Sequence, residues 1–370
     1  MTRRAERVVV AMSGGVDSSV AAAELAARGY DVVGVTMKLF CYGDTVPDRP
    51  CCSLDAIDDA RRVCQWLGVP HYVLNLEQPF GHDVVQDFVH EYARGRTPIP
   101  CVRCNTFTKF RDLVRKADAI DARWIATGHY ARMVDGALHR ARDPRKDQSY
   151  FLWGIQRDVL PRLLFPVGTL TKAETRRRAH EIGLEVVAEK RESQDICFVP
   201  GGDHVAVLER HLDADAPALS PGPIVDTGGR VVGEHRGFAR YTVGQRRGLP
   251  GGFSHPMYVV AIRPAERTVV IGTRDELLGR GVIAGEANWH TPSPPAPGTI
   301  VHAQVRHRSR AARAEVLRAS AHEVELALDE PLAAITPGQS LVMYESDRVI
   351  GGAVIDAALG TRRRLPVQAA

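Results

Sequence analysis

Residues 11–19 read AMSGGVDSS, directly after Val8-Val9-Val10 and directly before an alanine-rich stretch at 20–27. That order is strand, glycine turn, helix start. Ser13, Gly14, Gly15, Ser18 and Ser19 put small residues and hydroxyls where a helix N-terminus offers unpaired N–H groups and a positive dipole end, which suits a phosphate. A Walker loop is excluded, because the Lys-Ser/Thr that ends one is missing. The other chemistry is sulfur. Seven cysteines stand at 41, 51, 52, 64, 101, 104 and 197. An odd number in a large chain argues against a disulfide framework and for redox, metal or sulfur chemistry. Cys101 and Cys104 have CxxC spacing within GRTPIPCVRCN (95–105), and Cys197 lies in ESQDICFV (192–199). A lone CxxC fits a redox pair, half a zinc site or coincidence, and neither a second CxxC nor a close His pair completes a zinc finger.

Holding these groups takes more than one domain, and 370 residues predict two or three. The first half alternates β-branched runs with helical periodicity: strand 8–11, helix 18–28, strand 32–37, helix 54–67, strand 71–76, helix 80–93, a Pro/Cys loop at 97–105, helix 106–117 and strand 124–127. This pattern predicts an α/β fold with a doubly wound parallel sheet whose ligand site lies at the carboxyl ends of the strands. Beyond about residue 205, short β-branched runs separated by Gly and Pro take over. They predict a small central β domain and then a C-terminal antiparallel β-barrel. The proline-rich stretch 291–298 reads as a linker or as an exposed loop within a β domain. The expected boundaries are 1–205, 206–280 and 281–360, with a tail at 361–370.

Composition is that of a soluble globular chain, 44% hydrophobic and 25% charged, and no apolar run approaches the roughly 20 residues of a membrane helix. The start MTRRAERVVVAM leads straight into the phosphate loop, which predicts a cytoplasmic protein with no membrane partner. Of the 48 basic residues only six are lysines, so most arginines read as solvated surface. Residues 94–116 carry seven basic side chains against the single acid Asp112. Such a patch suits a polyanion or an exposed helix face.

The SGGVDSS string resembles the PP-loop of ATP pyrophosphatases, enzymes that split ATP into AMP and pyrophosphate to adenylate an oxygen. A longer resemblance follows. AMSGGVDSS, GRTPIPCVRCN, ATGHYAR (126–132), KDQSYFLW (146–153), SQDICFV (193–199), YTVGQRRGL (241–249) and TPGQS (336–340) occur in the order seen in bacterial tRNA-specific 2-thiouridylases, spanning approximately residues 6–357. That family adenylates the C2 oxygen of the wobble uridine in certain tRNAs and replaces it with sulfur, releasing AMP and pyrophosphate.

The resemblance implies that Ala11, Met12, Ser13, Gly14, Gly15, Val16, Asp17, Ser18, Met37 and Gly128 bind ATP, with Mg²⁺ assisting and Asp17 near the metal. The family usually has Gly where Ala11 stands, and alanine is small enough to change little. Cys104 matches the nucleophile and Cys197 the cysteine that carries a persulfide. Ile99, Pro100, Cys101, His129, Lys146, Asp147, Gln148, Arg306, His307 and Gln339 match positions that contact the tRNA anticodon stem-loop. A cysteine desulfurase or persulfide carrier is the implied sulfur donor. Cys101 departs from the pattern, since many members have aspartate there, which puts a general-acid role in doubt. Cys101, Cys104 and Cys197 would together suit an iron–sulfur cluster with an open position; the competing reading keeps Cys101 as an extra thiol beside a persulfide cycle. Cys41, Cys51, Cys52 and Cys64 are expected to pack. PP-loop ligases that use a nitrogen nucleophile need no such cysteines, and an RNA-binding module would need no intact loop.

Overall fold

The computed structural model describes residues 5–40, 54–190 and 196–360, so Cys41, Cys51, Cys52 and residues 191–195 lie outside the described residues. The chain divides into two compact units. One comprises Met1–Val85, Cys101–Gly202 and Asp347–Val349; the other comprises Gln86–Pro100, Asp203–Ser346 and Ile350–Ala370.

The first unit begins with β1 (Arg7–Ala11), α1 (Val16–Ala27), β2 (Asp31–Lys38), α2 (Leu54–Trp66) and β3 (His71–Asn75). Val8, Val9 and Val10 are wholly buried, because a central strand of a parallel sheet is covered on both faces and needs apolar residues at every position. Against it pack Val16, Val20, Ala21 and Leu25 of α1. After β3 come α3 (Glu77–Phe80), a π-helical turn (Gly81–Gln86) and α4 (Asp87–Ala93), the last belonging to the second unit. Then follow α5 (Pro100–Arg103), a π-helical segment (Cys104–Phe110), α6 (Arg111–Ala119) and β4 (Trp124–Thr127). The hairpin β5 (Ala131–Val134) and β6 (Ala137–Arg140), the short β7 (Leu163–Leu164), α7 (Lys172–Glu181) and α8 (Glu185–Ala188) complete it.

The five-stranded sheet has the order β3-β2-β1-β4-β7, and every pairing in it is parallel. Strand order therefore reverses at β1, with β2 on one side and β4 on the other. This is the switch point where open α/β sheets bind ligands. One sequence expectation fails here. The Pro/Cys stretch 97–105 is a loop only up to Ile99; from Pro100 it is helical. Proline is well suited to the first helical position, where its missing N–H has no partner to lose.

In the second unit, α9 (His204–His211) precedes β8 (Gly222–Asp226), β9 (Val231–His235), β10 (Tyr258–Arg263) and β11 (Thr268–Gly272), ordered β10-β11-β8-β9. Six further strands follow: β12 (Leu278–Trp289), β13 (Ile300–Gln304), β14 (Ala312–Ala319), β15 (Val324–Ala333), β16 (Ser340–Glu345) and β17 (Arg348–Leu359). They run β12-β15-β14-β13-β16-β17, and β12 pairs with β17 to close an antiparallel barrel. Closure leaves no sheet edge unpaired, and Val282, Val301, Leu326, Leu341, Met343 and Ile355 fill the interior. The proline-rich stretch 291–298 joins β12 to β13 and is thus a loop within the barrel. No helix among the described residues is long and apolar enough to cross a membrane.

Candidate active site

The phosphate loop leaves the carboxyl end of β1 and enters α1 through Gly15, its N-cap, which has no side-chain cap hydrogen bond. The first N–H groups of α1 thus keep the anion-binding character that a capping side chain would remove. The loop is braced internally. The Ser13 N–H donates to Ser18 Oγ at 3.1 Å, and Ser18 Oγ and Ser19 Oγ both donate to the Gly15 carbonyl, at 3.1 and 2.9 Å. Gly14 has φ +69°, and a Cβ there would stand 2.2 Å from the Ala56 carbonyl oxygen on α2. Gly128, just after β4, is as tightly placed: its Cβ would fall 2.5 Å from the Ser18 amide nitrogen. Register pairs Ala11 with both Val35 and Thr127, which brings Ala11, Met37 and Gly128 to the same end of three adjacent strands. Met12 is buried, its N–H bonded to Val35 O at 2.8 Å; Val16 packs in the core.

Asp17 meets partners that the sequence reading missed. Lys172 Nζ lies 2.8 and 2.9 Å from its two carboxylate oxygens, and the Tyr130 hydroxyl donates to Oδ1 at 2.8 Å. Lys172 opens α7, held by a capping box in which Thr171 and Glu174 bond each other's backbones. The signal was the TKAE string at 171–174, a capping-box sequence, although its target 155 residues away was not readable. A second lysine, Lys190, donates to the Gly14 carbonyl at 3.1 Å and to Asp59 Oδ2 at 2.5 Å. Both Asp17 oxygens thus face a cation, and no group of three His, Cys, Asp or Glu among the described residues is placed to hold a metal ion. Mg²⁺ is usually held by one or two carboxylates together with substrate phosphates rather than by an all-protein cage, and Asp17 is the carboxylate at this loop that would hold it.

The cysteines differ sharply. Cys101 is exposed, Cys104 buried and Cys197 half-buried, and none of the three is in a disulfide. The iron–sulfur alternative finds no ligand group of Cys101, Cys104 and Cys197 among the described residues; from Pro100 the chain is helical, with Cys101 exposed and Cys104 buried. Cys104 opens the π-helical segment, a rare form that is frequent at functional sites. Its neighbour Asn105 donates through Nδ2 to Phe151 O at 3.0 Å, while Asn105 Oδ1 and Thr108 Oγ1 are buried without a hydrogen-bond partner. Cys197 precedes Phe198, whose ring meets that of Phe80 edge-on at 5.6 Å. Cys64 does pack: it lies in the α/β core, and burial pushes its thiol up to about 11.

Several side chains expected to touch tRNA have structural partners. Asp147 accepts from Arg140, the Ala141 N–H and the Ser149 N–H. Gln148 Oε1 accepts from the Tyr130 N–H at 2.8 Å, and the Lys146 N–H bonds Asp143 O. His129 Nδ1 shares a 2.7 Å hydrogen bond with Thr127 Oγ1, and its ring stacks on Phe110 at 6.1 Å. Burial, and then the charge of Lys109, pushes the His129 imidazole down to about 3, so it is neutral at physiological pH.

In the second unit, Gln339 Nε2 donates to Thr97 O at 2.7 Å, and the Thr97 N–H donates to Pro337 O at 2.8 Å. A Cβ on Gly338 would meet the Thr97 amide nitrogen at 2.8 Å. The loop leading to Ile99 and Pro100 is thereby clamped to the TPGQ turn. Thr97 also bonds Thr242, and Gly244 lies against Arg306 and Ala334. Four loops meet there, at 95–100, 242–247, 306–310 and 334–339. Arg246, Arg247, Arg306, Arg308 and Arg310 are exposed on them, and His307 is half-buried. The basic run 94–116 is more self-contained: Arg94 and Arg96 pair with Glu91, Arg111 with Asp83 and Arg115 with Asp112.

Residues 6–201 match the family described as tRNA methyl transferase HUP domain, residues 207–273 the tRNA methyl transferase PRC-barrel domain, and residues 279–355 the aminomethyltransferase beta-barrel domain. A protein of Geobacter metallireducens named tRNA-specific 2-thiouridylase MnmA is 46% identical over 97% of this chain and 99% of its own length. Proteins of the same name from Paracoccus denitrificans and Koribacter versatilis are 47% and 44% identical, covering 96% and 94% of this chain and 92% and 98% of their own lengths.

Proposed function

The chain belongs to the tRNA-specific 2-thiouridylase family, and from that premise we propose that it thiolates the wobble uridine of tRNA through an adenylated intermediate and a persulfide on Cys197. The enzyme is a tRNA sulfurtransferase with an ATP-binding PP-loop domain. The observation that carries the finer reading is an uncapped phosphate loop in the same unit as Cys104 and Cys197, which differ in burial.

The uridine C2 carbonyl is a poor electrophile with a poor leaving group. Its oxygen attacks the α-phosphorus of ATP, the bond to the β-phosphate oxygen breaks, and pyrophosphate leaves. The α1 N-terminus and the loop N–H groups stabilise the charge that develops on the departing phosphates. Ala11 to Ser18, Met37 and Gly128 line this nucleotide site. The C2 oxygen is now an AMP ester. The outer sulfur of the Cys197 persulfide attacks C2 and expels AMP. The Cys104 thiolate then attacks the inner sulfur, and the S–S electron pair leaves with the new 2-thiouridine. Alternatively, Cys104 attacks first and releases hydrosulfide as the nucleophile. Both routes leave a Cys104–Cys197 disulfide, which a thiol reductant must open. A cysteine desulfurase or persulfide carrier reloads Cys197. Cys101 stands as an additional exposed thiol.

The target base must leave its stack in the anticodon loop to reach such chemistry. Arg306, His307 and the arginines at 246, 247, 308 and 310 supply phosphate contacts. Ile99, Pro100, Cys101, His129 and Lys146–Gln148 supply further tRNA contacts, with Asp147, Gln148 and Gln339 acting through the backbone they hold. Serine at Cys104 or at Cys197 tests the scheme. Each variant is expected to release AMP and pyrophosphate from ATP in the presence of tRNA while forming no 2-thiouridine. Full thiolation by either variant would overturn it.

A further inference from the structure

Asp17, in the first turn of α1, has both carboxylate oxygens bonded to one ammonium. Lys172 Nζ lies 2.8 Å from Oδ1 and 2.9 Å from Oδ2, and the two side chains are 12% and 31% exposed, lysine first. The Tyr130 hydroxyl donates to the same Oδ1 at 2.8 Å, and its ring lies 5.8 Å from the ammonium. Lys172 is itself fixed at the start of α7 by the capping box and by its own N–H, which donates to Asp143 Oδ2 at 3.2 Å.

An ion pair that served only to dock α7 on α1 would be redundant. Arg178 of α7 already donates to Glu24 of α1 at 2.6 Å, and Ala179 lies in the same core as Val20 and Leu25. Drawing two charges out of water costs about what their attraction returns, so a covered pair is weak evidence for a role in stability. Its place points elsewhere. Gly128 stands two residues before Tyr130, and a Cβ on it would fall 2.7 Å from the Asp17 carbonyl carbon. The pair therefore lies on the β4 side of the phosphate loop, beside the uncapped start of α1.

We propose that Lys172 is a nucleotide-binding residue that competes with the divalent cation for Asp17. The inference rests on the reading of the loop as the nucleotide site. Without a cation, the ammonium neutralises a carboxylate that would otherwise repel the phosphates. A carboxylate with both oxygens on an ammonium can take a divalent cation only as the ammonium lets go. The released ammonium then turns to the phosphates, where it makes a charge-assisted contact. Asp17 is thus shared between two positive partners, and removing the lysine strengthens its hold on the cation.

The test uses the full-length protein and two probes. Mn²⁺ alone is followed by the electron paramagnetic resonance signal of the free ion. α,β-Methylene ATP, which cannot be cleaved between its α- and β-phosphates, is titrated by calorimetry in EDTA and again with Mn²⁺. Nucleotide-free Lys172→Met is expected to bind Mn²⁺ roughly tenfold or more tighter than wild type, and Lys172→Met/Asp17→Asn to lose that gain. A gain of metal binding is not something the loss of a merely structural lysine would produce. In EDTA, Lys172→Met is expected to bind the nucleotide roughly tenfold more weakly than wild type. Asp17→Asn, which keeps an acceptor for Tyr130, carries the test should Lys172→Met fail to fold. Its ammonium is released to the phosphates, so nucleotide binding in EDTA tightens and Mn²⁺ strengthens it less than in wild type. An unchanged Mn²⁺ affinity in Lys172→Met, a gain that survives in the double variant, or undiminished nucleotide binding by Lys172→Met in EDTA overturns the proposal. So does Asp17→Asn that binds nucleotide in EDTA no tighter than wild type. A wild type that binds no nucleotide, with or without Mn²⁺, overturns the nucleotide reading and the proposal together.

Discussion

The phosphate loop and the helix that carries Cys104 solve opposite problems. In the loop, Ser13, Ser18 and Ser19 close hydrogen bonds on one another and on Gly15, so its shape exists before any ligand arrives. Beside Cys104, Asn105 Oδ1 and Thr108 Oγ1 are buried without a partner, and the helix takes the π form there. Unsatisfied buried polar atoms cost about 1–3 kcal/mol each, and native proteins retain few of them. In the proposed reaction, nucleotide binding is served by a loop that holds its own shape, and base and sulfur handling by a surface whose polar groups the substrate completes. The difference teaches that polar groups are satisfied within the loop and left unsatisfied beside Cys104.

Three substitutions probe that contrast, beginning with the largest effect. Gly14→Ala forces a side chain into the left-handed region against the Ala56 carbonyl. Strain of about 1–3 kcal/mol corresponds to a loss of roughly fivefold to 150-fold in nucleotide affinity, measured by calorimetry; unchanged affinity would mean that the cradle is not preformed. Asn105→Asp replaces the amide that donates to Phe151 O with a second acceptor. It is expected to lower stability by about 1–3 kcal/mol and to reduce thiolation, while nucleotide affinity is preserved. Equal losses in both activities would erase the distinction between the two elements.

The smallest effect is at His129. Its imidazole stays neutral in the fold down to about 3, while the unfolded chain takes up the proton near 6.5. The unfolded state therefore binds more protons between those values, and stability falls as pH drops through that window. His129→Gln removes this contribution, so its thermal midpoint should decline less steeply than wild type between pH 7 and 5. Parallel profiles would show that the ring protonates in place.

What the sequence made readable was local. SGGVDSS announces a phosphate loop because glycine and hydroxyl requirements operate within a few residues, and the Val8–Val10 run announces a central strand for the same reason. The CxxC was visible, yet its surroundings were misread, because Pro100 signals a turn in isolation and a helix start in context. Asp147 and Gln148 stood out in KDQSYFLW, but their holds on Ala141 and Tyr130 depend on the fold of the β5–β6 hairpin. Lys172 and Lys190 escaped notice because they meet the loop across 155 and 176 residues of sequence. The arginine cluster in the second unit likewise appears only once four separate loops are folded together.

Mass analysis of tRNA nucleosides after reaction with ATP and a persulfide donor addresses the proposed chemistry most directly. The expected product is 2-thiouridine at the wobble position, formed in equal amounts with AMP and absent when ATP is withheld. Thiolation without ATP, or AMP formation that leaves every wobble uridine oxygenated, would contradict it.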